Sequence, residues 1–277
     1  MTFPRHPQTI RSGALRLAHG AEIEWLQFGR GALRTVVIPG AGDGLWTVRQ
    51  WLPLFAWRYR RRYRTHRLLI MGRREPIPER FGIAAHAEDY LDAVERLAWG
   101  PAVWECISAG GPIGQCAAIR RPDMVRGLVL ASTMHRSDAV LRSVLQAWRE
   151  LTEQRRWGEL YWSIAALNRQ PETVRRLRWL RPLLRLTPIR ANAQRFVRLL
   201  DELLHFDNSA VLAEIACPTL VIGGEADRIV SADLQREMAA LIPNSRLVLY
   251  PCYGHAAPLE HPSAERTIMQ FVQELGR

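Results

Sequence analysis

Three side chains with the chemistry to cleave an acyl bond each follow an apolar, strand-like segment of this sequence. Ser108 stands in a run of small residues, Cys106 to Gly110, between an apolar segment and a helical pattern. Asp227 and His255 follow two later apolar segments. A serine hydroxyl is a weak nucleophile unless a base takes its proton and a third group orients that base. The pattern predicts a Ser-His-Asp triad in the chain order Ser, Asp, His.

The turn around Ser108 has the features of a nucleophile elbow. A sharp strand-to-helix turn pushes the serine Oγ outward and brings it near the backbone amides of the following helix. In this interpretation Ser108 attacks an acyl carbonyl and His255 accepts and returns the proton. Asp227 fixes the imidazole tautomer and stabilises its charged form.

The elements that must position these residues alternate between strands and helices. Such alternation predicts an α/β fold class with a doubly wound, mostly parallel sheet, whose ligands bind beyond the carboxyl ends of the strands. Ser108, Asp227 and His255 all lie just beyond such ends. We predict an edge strand over 21–28, further strands over 35–38, 67–71, 103–107, 127–131, 219–223 and 246–250, and helices near 45–57, 86–98 and 232–241.

The alternation stops in the middle of the chain. Residues 133–206 show only helical periodicity interrupted by prolines, so we predict a helical cap inserted into a core of 1–132 and 207–277. Aromatic side chains are frequent in this segment, and they are expected either to line a pocket or to pack against the core. These aromatic residues are Trp148, Trp157, Tyr161, Trp162, Trp179, Phe196 and Phe206.

These motifs together resemble those of the α/β-hydrolase family, whose elbow reads G-x-S-x-G and whose triad follows in the same chain order. Cys106 departs from the pattern because it stands at the first elbow glycine, where only a small side chain fits. The resemblance implies an oxyanion hole built from the backbone N–H of Ala109 and one from the loop after an early strand. In that loop we predict the backbone N–H of Ala41 as the donor, with that of Gly40 as the next choice. The Asp43 side chain is expected to face away from the oxyanion.

The resemblance implies a serine hydrolase that cleaves a carboxylic ester or a similar small acyl substrate through an acyl-enzyme, without a cofactor. Enol-lactonases, thioesterases, carbon–carbon bond hydrolases and acyltransferases use the same triad, so these alternatives stay open. A ligand-binding receptor on the same fold also stays open, because fold does not determine function. A haloalkane dehalogenase would need aspartate at the position of Ser108.

The basic composition comes entirely from arginine. The chain has 277 residues and a formal charge of +11, and all 38 basic residues are arginine. The absence of lysine excludes a Walker phosphate loop and a lysine Schiff base. An arginine-rich run with two tyrosines at 58–67 favours a solvated helix end over contact with nucleic acid or anionic lipid. Residues 133–206 hold 14 arginines against 7 acidic residues, which fits either an anionic substrate or compositional bias.

Other classes of site find little support. The loop Gly40 to Gly44 fails the dinucleotide pattern because Leu45 stands where glycine is needed. The histidines lack metal-ligand spacing, so we expect no metal. Cys106 and Cys252 are interpreted as packing residues, and four cysteines with neither metal-type pairing nor disulfide-rich density indicate a reduced, cytoplasmic protein. We expect no membrane span, because no apolar stretch approaches about 18 residues. The sequence does not specify an oligomeric state.

Overall fold

A single eight-stranded sheet forms the centre of the molecule. The computed structural model describes residues 10–79, 81–179, 181–182 and 192–276. In chain order the strands are β1 Arg11–Arg16, β2 Glu22–Phe28, β3 Leu33–Ile38, β4 His66–Glu75, β5 Ala102–Ile107, β6 Val125–Ala131, β7 Thr219–Gly224 and β8 Ser245–Tyr250. Their order in the sheet is β1-β2-β4-β3-β5-β6-β7-β8. The pairs from β4 to β8 are parallel and those of β2 with β1 and β4 are antiparallel, which confirms the predicted fold class.

Helices cover both faces of the sheet. They are α1 Gly42–Leu45, α2 Leu52–Arg58, α3 Ile83–Arg96, α4 Gly111–Arg120, α5 Ala139–Glu153, α6 Trp157–Asn168, α7 Pro171–Leu177, α8 Ala193–Leu204, α9 Ala232–Leu241, α10 Ala257–Glu260 and α11 Ala264–Leu275. Alternate strand residues face opposite cores, as strand geometry requires. On β5, Trp104 packs in the core that includes α3 and α4, whereas Val103 packs in the core that includes α11. The central parallel strands are therefore buried on both sides, whereas β8, at the edge of the sheet, is buried only at Tyr250.

The predicted edge strand does not lie at an edge. β2 pairs with β1 on one side and β4 on the other, so β1 is the edge strand. The sequence of β1, Arg-Ser-Gly-Ala-Leu-Arg, is mostly exposed and has little apolar signal. Backbone pairing with β2 stabilises it, and a pattern of hydrophobic residues cannot report that pairing.

The predicted helix over 45–57 is two helices. α1 ends at Leu45, and α2 begins at Leu52 with Pro53 in its first turn. Proline lacks an N–H and its ring clashes with the carbonyl four residues earlier, so it is accepted at a helix start but not in a helix interior. Pro53 therefore marks the start of a new helix.

The segment between β6 and β7 is a helical insert that contains α5 to α8. Helix α8 buries Phe196, Leu199, Leu200 and Leu203 along one side and packs against α5 and α1. Asp138 and Asn192 cap α5 and α8 by accepting hydrogen bonds from backbone N–H groups three residues on. Pro188, one of the prolines that interrupt the helical periodicity of this segment, lies outside the described residues. The division into a core and a cap over 133–206 stays a prediction.

The arginine-rich run at 58–67 is only partly solvated, so the expected solvated helix end needs correction. Arg60, Arg61 and Arg64 are exposed, but Arg62 is fully buried. Its guanidinium contacts Glu105 on β5 and Glu265 on α11 at 2.5 and 2.6 Å. Arg62 therefore connects the turn after α2 to strand β5 and helix α11.

The helices give no sign of membrane insertion across the part of the chain that the structure describes. None of them combines the length and the apolar composition that crossing a bilayer requires.

Candidate active site

The turn between β5 and α4 holds Ser108 in an uncommon backbone conformation. Its φ is +48°, in the left-handed region that a non-glycine residue seldom occupies. Gly110 sits close to the end of β3, where an added Cβ would approach the Pro39 carbonyl oxygen to 2.9 Å. Strain of this kind persists only where the surrounding structure enforces it, and it clusters at functional sites. The serine is consequently turned out of the sheet at its carboxyl edge.

Cys106 fits at the first elbow position because the facing helix has a glycine. A Cβ built on Gly114 of α4 would overlap the Cys106 Sγ and stand 3.1 Å from the Cys106 Cβ. Cys106 is fully buried, and burial raises the pKa of its thiol well above the ordinary range. The sequence analysis missed Gly114. The signal that could have revealed it was a glycine one helical turn past the elbow.

Ser108, His255 and Asp227 form a continuous line of contacts. The Ser108 Oγ lies 2.9 Å from His255 Nε2, and His255 Nδ1 lies 2.8 Å from Asp227 Oδ2. An ionised carboxylate can only accept, so His255 donates from Nδ1 and its Nε2 is free to accept the serine proton. The side chain of Asp227 is 0% exposed and that of His255 is 8% exposed. This geometry suits general base removal of the Ser108 proton.

Backbone groups hold Asp227 in place beyond the end of β7. Its Oδ1 accepts hydrogen bonds from the N–H groups of Ile229 and Val230 at 2.8 and 3.0 Å. Both carboxylate oxygens thus have partners, which fixes the plane of the carboxylate and through it the imidazole. His255 follows β8, so three parallel strands bring their carboxyl ends to one edge of the sheet.

The loop after β3 lies against the nucleophile. A Cβ on Gly40 would come within 3.3 Å of the Ser108 Cβ, so a side chain there would crowd the serine. Among the described residues, the N–H groups of Ala41 and Ala109 donate to no protein acceptor. These two predicted oxyanion donors therefore lie on the two segments that meet at Ser108.

Asp43, expected to face away from the oxyanion, is buried and paired with two arginines. Its Oδ2 accepts from the Arg73 backbone N–H at 2.8 Å and lies 3.3 Å from Arg73 Nη1 and 3.2 Å from Arg195 Nη2. Arg73 ends the buried part of β4, and Arg195 belongs to α8 of the insert. The sequence analysis missed both; the available signal at Arg73 was an arginine two residues after the apolar run that ends at Met71.

Helix α6 of the insert packs onto the loops that carry the acid and the base. The Asn168 carbonyl accepts a hydrogen bond from the Ala256 N–H at 3.1 Å, and the Ala166 carbonyl accepts one from the Arg228 guanidinium. Tyr161 on the same helix contacts the Trp46 indole N–H at 3.2 Å. The insert is thus hydrogen-bonded to residues adjacent to His255 and Asp227.

The aromatic residues of the insert divide between packing and exposure. Trp148 and Phe196 are buried in the core, whereas Trp179 is 72% exposed. Phe196 packs on α1, where a Cβ on Gly44 would approach its ring to 3.0 Å. Packing therefore accounts for Trp148 and Phe196.

A cavity of about 260 Å³ lies beside Asp227. Two arginines, Arg169 and Arg228, line it together with the exposed Cys252. No group of three or more potential metal ligands occurs among the described residues. The cavity is therefore lined by two arginines and the Asp227 carboxylate, and Arg169 lies 3.7 Å from Glu260.

Comparisons with known proteins agree with this architecture. A sequence profile of the alpha/beta hydrolase fold matches residues 36–262. The chain is 31% identical over 282 residues to a segment of the polyketide synthase ThaQ of Burkholderia thailandensis, covering 95% of this chain but only 13% of the length of that synthase. It is 30% identical to a 2-hydroxymuconate semialdehyde hydrolase of Pseudomonas putida, covering 68% of this chain and 67% of that protein.

A solved structure shares the complete fold. The enol-lactonase from Burkholderia xenovorans superposes with a TM-score of 0.79, covering 94% of this chain and 100% of that chain at 17% identity. The profile spans the elbow at Ser108 and the loops of Asp227 and His255. The chain therefore belongs to the alpha/beta hydrolase fold family.

Proposed function

We propose that this protein is a serine hydrolase that cleaves a carboxylic ester or a similar small acyl compound through an acyl-enzyme. The observation that carries the proposal is the hydrogen-bonded line from Ser108 through His255 to the buried Asp227. A purely structural serine would not need a positive φ, a base at its Oγ and a fully paired acid behind that base. The same line supports catalysis over a ligand receptor that merely shares the fold.

In the proposed reaction each residue has a role. The Ser108 Oγ attacks the acyl carbon while His255 Nε2 takes its proton, and the carbonyl oxygen becomes an oxyanion. The N–H groups of Ala41 and Ala109 bind that oxyanion. His255 then gives the proton to the leaving oxygen, and an ester alcohol departs. His255 then takes a proton from a water molecule, which attacks the acyl-enzyme. The bond from the acyl carbon to the Ser108 Oγ breaks, His255 returns the proton to that Oγ, and the acid is released.

A thioester is the second candidate substrate, and two observations favour it. One relative matched over most of this chain is a segment of a polyketide synthase. In addition, Arg169 and Arg228 line the cavity beside Asp227, where they suit an anionic part of an acyl carrier group. Transfer of the acyl group to an acceptor other than water would use the same acyl-enzyme. We further propose that the helical insert, predicted over 133–206, acts as a cap that limits access of water.

Active-site labelling tests the proposal. A fluorophosphonate should modify folded wild-type protein at Ser108, identified by mass spectrometry of peptides, and should leave Ser108→Ala unmodified. Hydrolysis of matched esters, lactones and thioesters of increasing chain length should then reveal the preferred bond. Failure of the wild type to react with the probe would refute the serine hydrolase. Loss of less than about tenfold of the turnover in Ser108→Ala would mean that another group is the nucleophile, because triad deletions cost several orders of magnitude.

A further inference from the structure

We infer that Thr133 and Arg73 are positioning residues that orient the two peptide groups of the oxyanion hole. The inference rests on the proposed function, because it assigns a purpose to the N–H groups of Ala41 and Ala109. Neither Thr133 nor Arg73 contacts the triad side chains. Each instead hydrogen-bonds the carbonyl oxygen of a peptide group whose N–H is one of those donors.

Peptide geometry gives the reason. A trans peptide group is planar, and its carbonyl and its N–H point in opposite directions. The N–H of Ala109 shares a peptide group with the carbonyl of Ser108, and the N–H of Ala41 shares one with the carbonyl of Gly40. A hydrogen bond that holds either carbonyl therefore also fixes the direction in which the paired N–H points.

Thr133 holds the first peptide group. Its Oγ1 donates to the Ser108 carbonyl at 2.6 Å, and its side chain is fully buried. The same carbonyl accepts from the N–H of Gly111 at the start of α4. Thr133 follows Ser132, whose φ of +44° turns the chain after β6 toward the elbow. The backbone after β6 is thus bent so that this hydroxyl reaches the nucleophile's own carbonyl.

Arg73 holds the second peptide group. Its Nη1 donates to the Gly40 carbonyl at 3.3 Å, and its Nη2 donates to the Ala109 carbonyl at 3.2 Å. One planar guanidinium therefore bridges the loop after β3 and the elbow. A lysine could not do this, because its single ammonium has no rigid fork of donors.

The charge of Arg73 is partly balanced by its surroundings. Asp43 lies against it, and Arg195 of α8 donates both to Asp43 and to the Arg73 carbonyl at 3.2 Å. Two buried guanidinium groups thus face one buried carboxylate, and one of them also contacts the Gly40 and Ala109 carbonyls. Hydrogen bonds to a peptide carbonyl also polarise the group and strengthen its N–H as a donor. Orientation and polarisation both favour a negative oxygen over a neutral carbonyl.

Thr133→Val is the decisive variant, with Thr133→Ser as rescue and Thr35→Val as matched control. Valine keeps the shape of threonine but removes the hydroxyl, and serine restores it. Thr35 on β3 is equally buried, and its Oγ1 has no partner among the described residues. The measurements are kcat and KM on an accepted ester, and the inhibition constant of a boronic acid, whose tetrahedral adduct with Ser108 is an anion that presents a boron-bound hydroxyl to the oxyanion donors.

We expect Thr133→Val to lower kcat about tenfold with KM nearly unchanged, a smaller loss than removal of an oxyanion donor causes. The affinity for the boronic acid should fall by the same factor. Thr133→Ser should recover most of the lost kcat and most of the lost affinity. Arg73→Met should lower both quantities as well. The inference is overturned if Thr133→Val matches Thr35→Val in kcat within twofold, or if kcat falls without a parallel fall in boronate affinity.

Fluorophosphonate labelling separates this inference from the function on which it rests. Wild-type protein that does not react at Ser108 contradicts the proposed function itself. Wild-type protein that reacts and turns over, beside a fully active Thr133→Val, contradicts only the positioning role. A folded Thr133→Val that still takes one probe per chain after prolonged incubation, but turns over slowly, supports both.

Discussion

The elbow departs from the family pattern at one residue and compensates at another. Cys106 fills the space that the first elbow glycine leaves open, and Gly114 on the facing helix leaves room for its sulfur. The strand and the helix can therefore approach as closely as with a glycine at 106. The position of Ser108 depends on this pair because the same turn carries both the thiol and the nucleophile.

A double-mutant cycle tests that compensation. Gly114→Ala should destabilise the protein by about 1–3 kcal/mol, since it overpacks a closed core. Cys106→Gly combined with Gly114→Ala should recover part of this loss, because the glycine removes the Cβ and Sγ that the new methyl group meets. Urea denaturation of the wild type, both single variants and the double variant measures the coupling. Additive losses would show that the two positions are independent.

We expect Asp227 to control the tautomer of His255, and its amide variant tests this. Asp227→Asn keeps the size of the side chain but can donate to His255 Nδ1, which moves the imidazole proton to Nε2. That tautomer cannot accept the Ser108 proton, so kcat should fall by a factor on the order of 10⁴. Steady-state kinetics at neutral pH measures the loss. Asp233→Asn, at an 87% exposed aspartate of α9, should leave kcat unchanged. Equal losses in the two variants would argue against the triad.

At the scale of elements, a buried acid of the insert faces a buried histidine of the core. Glu202 Oε2 on α8 lies 3.1 Å from His86 Nε2 on α3. Burial raises the pKa of Glu202 to about 8, against a smaller opposing effect of the Arg73 charge. Burial, with the Arg73 charge in support, lowers the pKa of His86 to about 3. Both side chains are therefore neutral near pH 6 in the folded protein.

This pair predicts a pH dependence of stability. Unfolded Glu202 ionises near its ordinary pKa of 4.5, whereas the folded carboxyl keeps its proton up to about pH 8. The unfolded state therefore binds fewer protons in this window, and the stabilising contribution of Glu202 is lost as pH rises from about 4.5 to about 8. Glu202→Gln cannot ionise, so its stability relative to the wild type should increase across that window and then level off.

Urea denaturation at pH 5 and pH 8.5 measures this difference. Glu150→Gln is the control, because Glu150 is an exposed residue of α5 whose variant should track the wild type at both pH values. A difference between Glu202→Gln and wild type that stays constant with pH would show that Glu202 is already ionised in the folded protein.

At the scale of the whole molecule, the net charge of +11 does not show which arginines lie on the surface and which are buried in ion pairs. Arg62 is buried between Glu105 of β5 and Glu265 of α11. Burial opposes ionisation of Glu265, but hydrogen bonds and charge from Arg62 and Arg58 outweigh it and lower its pKa to about 2. These arginines are thus neutralised inside the fold and do not add to the basic surface.

Removal of one buried arginine tests this assignment. Arg62→Met should destabilise the protein by about 3–5 kcal/mol, because Glu105 is left as an uncompensated buried charge. Arg61→Met, one residue earlier and exposed, should change the free energy of unfolding little. Thermal and urea denaturation of the two variants provide the measurement. If Arg61→Met were as destabilising as Arg62→Met, the loss would come from the turn itself and not from the ion pairs.

The sequence by itself determined the alternation of strands and helices and the chain order of Ser108, Asp227 and His255. Apolar strands buried on both faces and small residues at a sharp turn leave clear local patterns. Strand β1 was missed, because backbone pairing with β2 stabilises it. The break before α2 was also missed, because a single proline decides it.

Only the tertiary structure decided which distant groups support the candidate site. Gly114 accommodates Cys106, Thr133 holds the Ser108 carbonyl, and Arg73 joins two loops through carbonyl oxygens. These contacts involve backbone atoms or the absence of a side chain, and backbone atoms are the same at every position of a sequence. Residue types and spacing therefore predict the groups that we propose to react, whereas the groups that orient them become visible only when the chain is folded.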